Sequence, residues 1–290
     1  MHATLRQRIS RRPILLAPGV YDPLTAKLAT DAGAEAIYLS GAALAYTRLG
    51  RPDIGLVAMS EVADTIALIR DRVATPMIVD ADNGYGNALN MQRTMRMFER
   101  AGANALQIED QSYPKRCGHL ADKSLISCTE MVGKVKAAVD ARAHADTLVI
   151  ARTDAIAVEG FDAAIERASR YAEAGADALF VEAPGSAEDL SRIAKALNGR
   201  LPLMANMVEG GMTPLQSAAE LEALGFALVI FPGGIVRAIA RTAQNFYGML
   251  LRDGTTAAFQ PQMFSFGELN QLIGTPDLIA LGKQYDGTKA

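Results

Sequence analysis

Acidic residues close short apolar runs at several points in this chain. Ile78-Val79-Asp80-Ala81-Asp82-Asn83-Gly84 ends one run with two acids at i and i+2, which extended backbone places on one face. Gln107-Ile108-Glu109-Asp110 ends a second run with adjacent acids, and Phe180-Val181-Glu182 ends a third. Carboxylates gathered in one place repel one another unless a positive charge sits among them. A hard divalent cation is the economical answer, and an oxygen-only set with water suits Mg²⁺, with Mn²⁺ also fitting. A strand-end acid commonly caps the next helix. Asp80 and Asp82 instead lead into a Gly-rich loop, and capping does not require the Asp-Ala-Asp spacing. Val149-Ile150-Ala151-Arg152-Thr153-Asp154 supplies an Arg whose fork would hold a substrate carboxylate, pair with a neighbouring strand-end acid, or do both. Tyr38-Leu39-Ser40-Gly41-Ala42 ends another run in a small turn whose N–H groups would take an anionic oxygen.

A second kind of chemistry lies in Tyr113-Pro114-Lys115-Arg116-Cys117-Gly118-His119, a basic, polar loop around one of the two cysteines. Lys115, Arg116 and His119 are expected to favour thiolate at Cys117, lowering its pKa from a reference of about 8.5 and making it a tunable proton donor or acceptor. Cys128 reads as a small buried hydrophobe. The two cysteines lie eleven positions apart, neither a disulfide framework nor a metal-knuckle spacing.

Positioning these groups requires strands. Short β-like runs alternate with stretches of helical period, which implies an α/β fold of parallel strands joined by crossover helices. Strands are predicted over Ile14–Gly19, Ala36–Ser40, Met77–Asp82, Ala105–Asp110, Leu148–Thr153, Ala178–Ala183, Leu203–Met207 and Ala227–Pro232. Eight is the count of a closed (β/α)8 barrel, where functional groups gather at the C-terminal strand ends. A weak repeat agrees: Asp31-Ala32-Gly33-Ala34, Arg100-Ala101-Gly102-Ala103, Glu173-Ala174-Gly175-Ala176 and Ala223-Leu224-Gly225-Phe226 each put Gly between a helix and a strand. With no interior linker, residues 1–290 are expected to form one barrel domain. Residues 252–290 form its C-terminal tail, whose Phe264, Phe266, Leu269 and Leu272 pack on the barrel or on a partner subunit.

Half the residues are hydrophobic and the net charge is only -3, which argues against disorder and against a nucleic-acid partner. No apolar run reaches membrane-span length, and Met1 to Pro13 carries Arg6, Arg8, Arg11 and Arg12 with no apolar secretory core behind them. A cytoplasmic protein acting on a small molecule, with no membrane partner, is the expectation.

Lys115-Arg116-Cys117-Gly118-His119 resembles the signature of the isocitrate lyase and phosphoenolpyruvate mutase superfamily. The resemblance covers nearly the whole chain, with Tyr38-Leu39-Ser40-Gly41, Pro52-Asp53-Ile54-Gly55, Asp80-Ala81-Asp82, Ile108-Glu109-Asp110-Gln111, Ala151-Arg152-Thr153-Asp154-Ala155 and Asn206-Met207-Val208-Glu209-Gly210-Gly211 in the family's order. It implies a TIM barrel with the C-terminal helix exchanged between subunits of a homotetramer. It implies Mg²⁺ at Asp80, with Asp53, Asp82 and Glu109 close by or holding its waters. Ser40, Gly41 and Ala42 would bind the keto-acid carboxylate. Arg152, Glu182 and Asn206 would meet the rest of the substrate, beside Gly118 and His119 of the signature. Arg237 stands where methylisocitrate lyases carry an Arg and would meet an extra carboxylate, whereas Phe231-Pro232-Gly233-Gly234 departs from the bulkier residues usual at that turn. Cys117 is placed like the general acid of the lyase members, and mutases and phosphonopyruvate hydrolases generally lack this loop.

The resemblance therefore implies retro-aldol cleavage of a hydroxy acid of the 2-methylisocitrate or 2,3-dimethylmalate type to pyruvate and a carboxylic acid. The base is not assigned by the resemblance; a carboxylate-held water and Tyr38 are the candidates. The competing readings are an oxaloacetate decarboxylase or hydrolase, a phosphonopyruvate-type enzyme, and a non-catalytic keto-acid-binding protein.

Overall fold

The computed structural model describes residues 4–285 apart from Ala121 and Asn198. Residues 1–3 and 286–290, including the end of the expected tail, lie outside the described residues. The chain divides into two compact units, Met1–Val236 and Arg237–Ala290. The tail expected from residue 252 falls within the second.

In the first unit, β1 (Leu15–Val20), β2 (Ile37–Leu39), β3 (Met77–Asp80), β4 (Ala105–Glu109), β5 (Leu148–Thr153), β6 (Ala178–Val181), β7 (Leu203–Asn206) and β8 (Leu228–Phe231) pair in sequence order as a closed parallel barrel. The ring shuts where β1 pairs with β8, Leu16 beside Val229. This is the TIM barrel that the alternation predicts. Six strands stop short of their expected ends, and at three of them the local reason is plain. Ser40 leaves β2 because its Oγ caps the short helix Gly41–Leu44. Asp82 and Ala183 leave β3 and β6 because their φ values of 47° and 57° are left-handed and cannot continue a strand.

Each strand sends alternate side chains to opposite faces. Ile37, Leu39, Val79, Leu106, Ile108, Val149, Ala151, Leu179, Ala205 and Val229 join the core between sheet and helices. Leu15, Ala17, Tyr38, Ile78, Ala105, Ile150, Phe180, Met204 and Ile230 fill the barrel's interior, where Leu5 and Ile9 of the N-terminal helix Leu5–Ile9 join them. That parity carries on to the C-terminal strand ends. It sends Asp80, Gln107, Glu109, Arg152, Glu182 and Asn206 inward above the apolar layers.

The second unit holds most of the helix Gly234–Asp253, a 3₁₀ turn Ala257–Gln262 and the helices Phe266–Ile273 and Thr275–Tyr285. Within it Phe246 and Phe259 meet edge to face, ring centres 5.3 Å apart. Leu251 and Phe266 are exposed at 86% and 88%. No described helix is long and apolar enough to cross a membrane.

Candidate active site

Strand register decides which polar groups become neighbours. Asp80 pairs in register with Gln107, and Gln107 Nε2 donates to Asp80 Oδ1 at 3.4 Å. The other end of the same amide accepts the Tyr38 hydroxyl at 2.6 Å. The Gly41 N–H donates to Asp80 Oδ2 at 3.3 Å, an approach that a Cβ at position 41, 3.0 Å from that oxygen, would crowd. The anion met by the expected N–H turn is thus, in this structure, the Asp80 carboxylate itself. Burial beside Asp80 holds the Tyr38 hydroxyl well above the usual phenol range. With its hydroxyl proton donated to Gln107, Tyr38 is a neutral phenol in this arrangement.

The β4–β5 register sets Glu109 beside Arg152, whose Nε lies 3.3 Å from Glu109 Oε2. Arg152 donates to both oxygens of Asp154, at 2.8 and 3.0 Å, and its Nη2 stands 3.5 Å from Glu182 Oε1. Asn206 Nδ2 donates to both Glu182 oxygens at 3.2 and 3.3 Å. Burial opposes the Arg152 charge, but Asp154, Glu109 and Glu182 outweigh it and hold its pKa well above the ordinary value. Asp154 is likewise penalised by burial, yet Arg152 and Lys123 push it down to about 2. The pairing of Arg152 with strand-end acids, one of its two expected roles, is present.

The adjacent acids of β4 part company. Glu109 faces the site, while Asp110 takes the outer face and accepts from the Thr153 hydroxyl at 2.7 Å, the Asp154 N–H at 2.9 Å and the Tyr171 hydroxyl at 2.7 Å. Arg167 adds an ion pair at 3.3 Å. Asp110 ties strand ends to the helix Phe161–Glu173 and takes no part in the site.

The cysteine loop folds over these strand ends. Lys115 Nζ bridges Asp53 Oδ1 at 2.5 Å and Asp82 Oδ1 at 2.6 Å. The Cys117 N–H donates to Asp53 O at 3.2 Å. Gln111 clasps Arg116 by both its amide ends, 2.8 and 2.9 Å. His119 Nδ1 accepts from the Met212 N–H at 3.0 Å, which leaves Nε2, 3.6 Å from Glu182 Oε1, as the protonated nitrogen of a neutral imidazole. Burial lowers the His119 pKa and so favours that neutral form.

One expectation is overturned here. Burial raises the Cys117 thiol, with Asp53 and Glu182 adding to it against the His119 N–H and Arg152. The basic residues that were to favour thiolate are spent elsewhere, Lys115 on Asp53 and Asp82, Arg116 on exposed Asp122. Cys117 is therefore held as a thiol.

The donor set suits a cation. Buried Asp53, Asp80, Asp82, Glu109, Asp154 and Glu182 outnumber the buried cationic groups of Lys115, Lys123 and Arg152 by three. Burial raises Glu109 well above the carboxylate range, raises Asp80 and brings Asp82 up to about 7. Glu109 Oε1 is buried with no hydrogen-bond partner. Among the described residues no three His, Cys, Asp or Glu side chains converge as direct ligands. A cation held here would use one or two carboxylates and keep its waters, the habit of Mg²⁺. A cavity of about 260 Å³, lined by residues 55–58, Asn83, Tyr85 and Tyr113, reaches Asp82 and Lys115.

The family model for phosphoenolpyruvate phosphomutase matches residues 5–251. The chain belongs to this family. It is 42% identical to the 2,3-dimethylmalate lyase of Eubacterium barkeri, over 98% of this chain and 97% of that one. It is 46% identical to the 2-methylisocitrate lyase of Aeropyrum pernix, over 94% and 87% of the two chains. A phosphonopyruvate hydrolase solved in complex with oxalate and Mg²⁺ superposes with a TM-score of 0.88 at 31% identity, over 97% of each chain. The chain is an enzyme of the carbon–carbon lyase kind on the phosphomutase-family barrel.

On that barrel the structure brings together Tyr38, Ser40, Gly41, Asp53, Asp80, Asp82, Glu109, Cys117, Gly118, His119, Arg152, Glu182 and Asn206. Ala42 lies in the first turn of the helix Gly41–Leu44. Arg237 is the first residue of the second unit. Sequence reasoning missed Gln107, Asp154 and Lys123. Gln107 and Asp154 had a signal, since each sits two residues from a chosen side chain and so on the same strand face. Lys123, in a loop, had none.

Proposed function

We propose that the protein is a Mg²⁺-dependent lyase that cleaves a 2-hydroxy acid with two or three carboxylates, of the 2-methylisocitrate or 2,3-dimethylmalate type, to pyruvate and a carboxylic acid. Mn²⁺ suits the same oxygen donors. The observation that carries this reading is Cys117, a neutral thiol folded over a ring of strand-end carboxylates. Rearrangement of a phosphonate on the same barrel needs no such proton donor, and neither does a binding module.

Asp80 would hold the cation, with Asp53, Asp82 and Glu109 ordering its waters. When bound, the cation supplies positive charge for the substrate's hydroxyl and carboxylate oxygens. Gln107 keeps Asp80 aimed. Ser40, Gly41 and Ala42 would receive the keto-acid carboxylate. Arg152, anchored on Asp154, with Glu182 and Asn206, would orient the departing half. A water held on a strand-end carboxylate takes the hydroxyl proton and passes one of its own to that carboxylate. The O–H electrons become the new carbonyl, and the C–C bond pair moves to the α-carbon of the departing acid. Cys117 gives its S–H proton to that carbon and becomes a thiolate, which solvent reprotonates. Arg152 stabilises charge on the departing carboxylate.

The exposed apolar side chains of the second unit support a further part of the reading, burial against a partner subunit in a homotetramer. Side-by-side assay of 2-methylisocitrate, 2,3-dimethylmalate, oxaloacetate and phosphonopyruvate tests the whole. Release of pyruvate from one of the first two, with phosphonopyruvate inert, is the expected result. Turnover of phosphonopyruvate or oxaloacetate alone would overturn it.

A further inference from the structure

One buried cation ties the cysteine loop to the arginine of the site, yet no step of the proposed cleavage uses it. Lys123 lies in the loop after His119, outside any helix or strand. Its side chain is 1% exposed, and its Nζ donates to the Gly118 carbonyl at 2.5 Å and to Asp154 Oδ1 at 2.9 Å. Asp154 is the same carboxylate that grips Arg152 by Nε and Nη2. Its own N–H is fixed on Asp110 at 2.9 Å. The ammonium therefore joins the residue after Cys117 to the strand end that aims Arg152.

We propose that Lys123 is a positioning residue that seats the Cys117 loop over the strand ends and, through Asp154, sets the direction of Arg152. Gly118 shows how tightly the loop is drawn in: a Cβ there would lie 2.7 Å from Glu182 Cδ, and nearer still to Glu182 Oε1 and Arg152 Nη2. Burying an ammonium is costly unless each of its bonds is made. Neither partner of Lys123 is part of a helix. The loop's other ties, Lys115 to Asp53 and Asp82, the Cys117 N–H to Asp53 O, Arg116 to Gln111 and His119 to the Met212 N–H, do not bond to Asp154. Arg152 and Lys123 both pair with Asp154, and Lys123 bonds to the loop as well. What Lys123 adds is the bond to Gly118.

The two free cysteines make the test internal. Iodoacetamide labelling of the ligand-free protein is followed at both thiols by mass spectrometry, for wild type, Lys123→Met and Lys123→Arg. In Lys123→Met the labelling rate of Cys117 relative to Cys128 is expected to rise about tenfold or more as the loop leaves its seat. Lys123→Arg, which keeps a cation within reach, stays within about threefold of wild type. A ratio unchanged in Lys123→Met overturns the assignment. So does a parallel rise at both thiols with a lower Tm, which would make Lys123 a support of the fold rather than of the loop.

A second readout rests on the reading under Proposed function. Lys123→Met lowers kcat about tenfold or more with KM within about threefold, since misplacing a catalytic group costs rate before it costs binding. A loss confined to KM counts against positioning. If the wild-type protein turns over none of the hydroxy acids, that earlier reading fails, and the thiol ratio still decides the role of Lys123.

Discussion

Gly118→Ala isolates the seating of the cysteine loop from the stability of the barrel. The added methyl would meet Glu182 Cδ at 2.7 Å, with Glu182 Oε1 and Arg152 Nη2 closer. Ordinary carbon–carbon contact begins near about 3.5 Å, so the loop or the Glu182–Arg152 pair must yield by about 1 Å. Both are held: Glu182 by Asn206 and Arg152 by Asp154, while Gly118 is joined to Lys123. Displacement of this size between a proton donor and its target costs about 100-fold in rate. That is about 2.7 kcal/mol of barrel-independent activation energy. The backbone does not resist the change, because Gly118 is not among the glycines with positive φ. The gain of about 0.4–1 kcal/mol through the unfolded chain offsets part of the about 1–3 kcal/mol that the crowded contact costs, so Tm should fall by a few degrees at most. Steady-state kinetics on 2-methylisocitrate and 2,3-dimethylmalate, with thermal melting of the same samples, read both quantities. Activity within threefold of wild type would refute the seating described here, and a large fall in Tm would move the effect from the loop to the fold.

Further outcomes follow from the same geometry. Cys117→Ser should lose about 10²–10⁴-fold in kcat while binding of oxalate, measured calorimetrically, is retained; near-full activity would remove Cys117 from the chemistry. Because burial raises the Cys117 thiol, the competent protonated form persists above the ordinary thiol range and is lost as pH climbs through the raised value, so the basic limb of kcat should lie above about 8.5. For His119 the sign is opposite: its depressed pKa makes the neutral imidazole the folded form, so the tie to Met212 is present above about 6.5 and fails as pH falls through the lowered value. Labelling of Cys117 should rise on that acidic side, and a flat profile would contradict it. EDTA should abolish turnover and Mg²⁺ restore it, whereas full activity in EDTA would sink the cation. Asp110→Ala, which strips partners from Thr153, Tyr171 and Arg167, should cost about 3–5 kcal/mol of stability by chemical denaturation.

The barrel was legible because its cue is periodic. Eight apolar runs and the glycines before them need no knowledge of distant contacts, and only strand ends shifted, where Ser40 turned to cap a helix and Asp82 took a left-handed backbone. The face of each side chain was also legible, since Asp80, Glu109, Arg152 and Glu182 follow the parity of the apolar residues before them. What one strand's sequence cannot show is which neighbour lies across the ladder. Gln107 is an ordinary polar residue until register sets it beside Asp80, and Lys123 is an ordinary loop lysine until the chain returns Asp154 to it.

The misjudged charge state of Cys117 shows why composition around a residue is a poor guide to its titration. Lys115, Arg116 and His119 surround the cysteine in sequence, and three cations at short range would have made a thiolate. In space Lys115 pairs with Asp53 and Asp82, Arg116 pairs with exposed Asp122, and His119 is neutral. The field left at the thiol is that of Asp53 and Glu182 in a buried setting, which favours the proton. For carbanion protonation this is the useful outcome, because a thiolate has no proton to give. In the cleavage proposed above, Lys115 serves by spending its charge on Asp53 and Asp82, so that the nearby sulfur stays neutral.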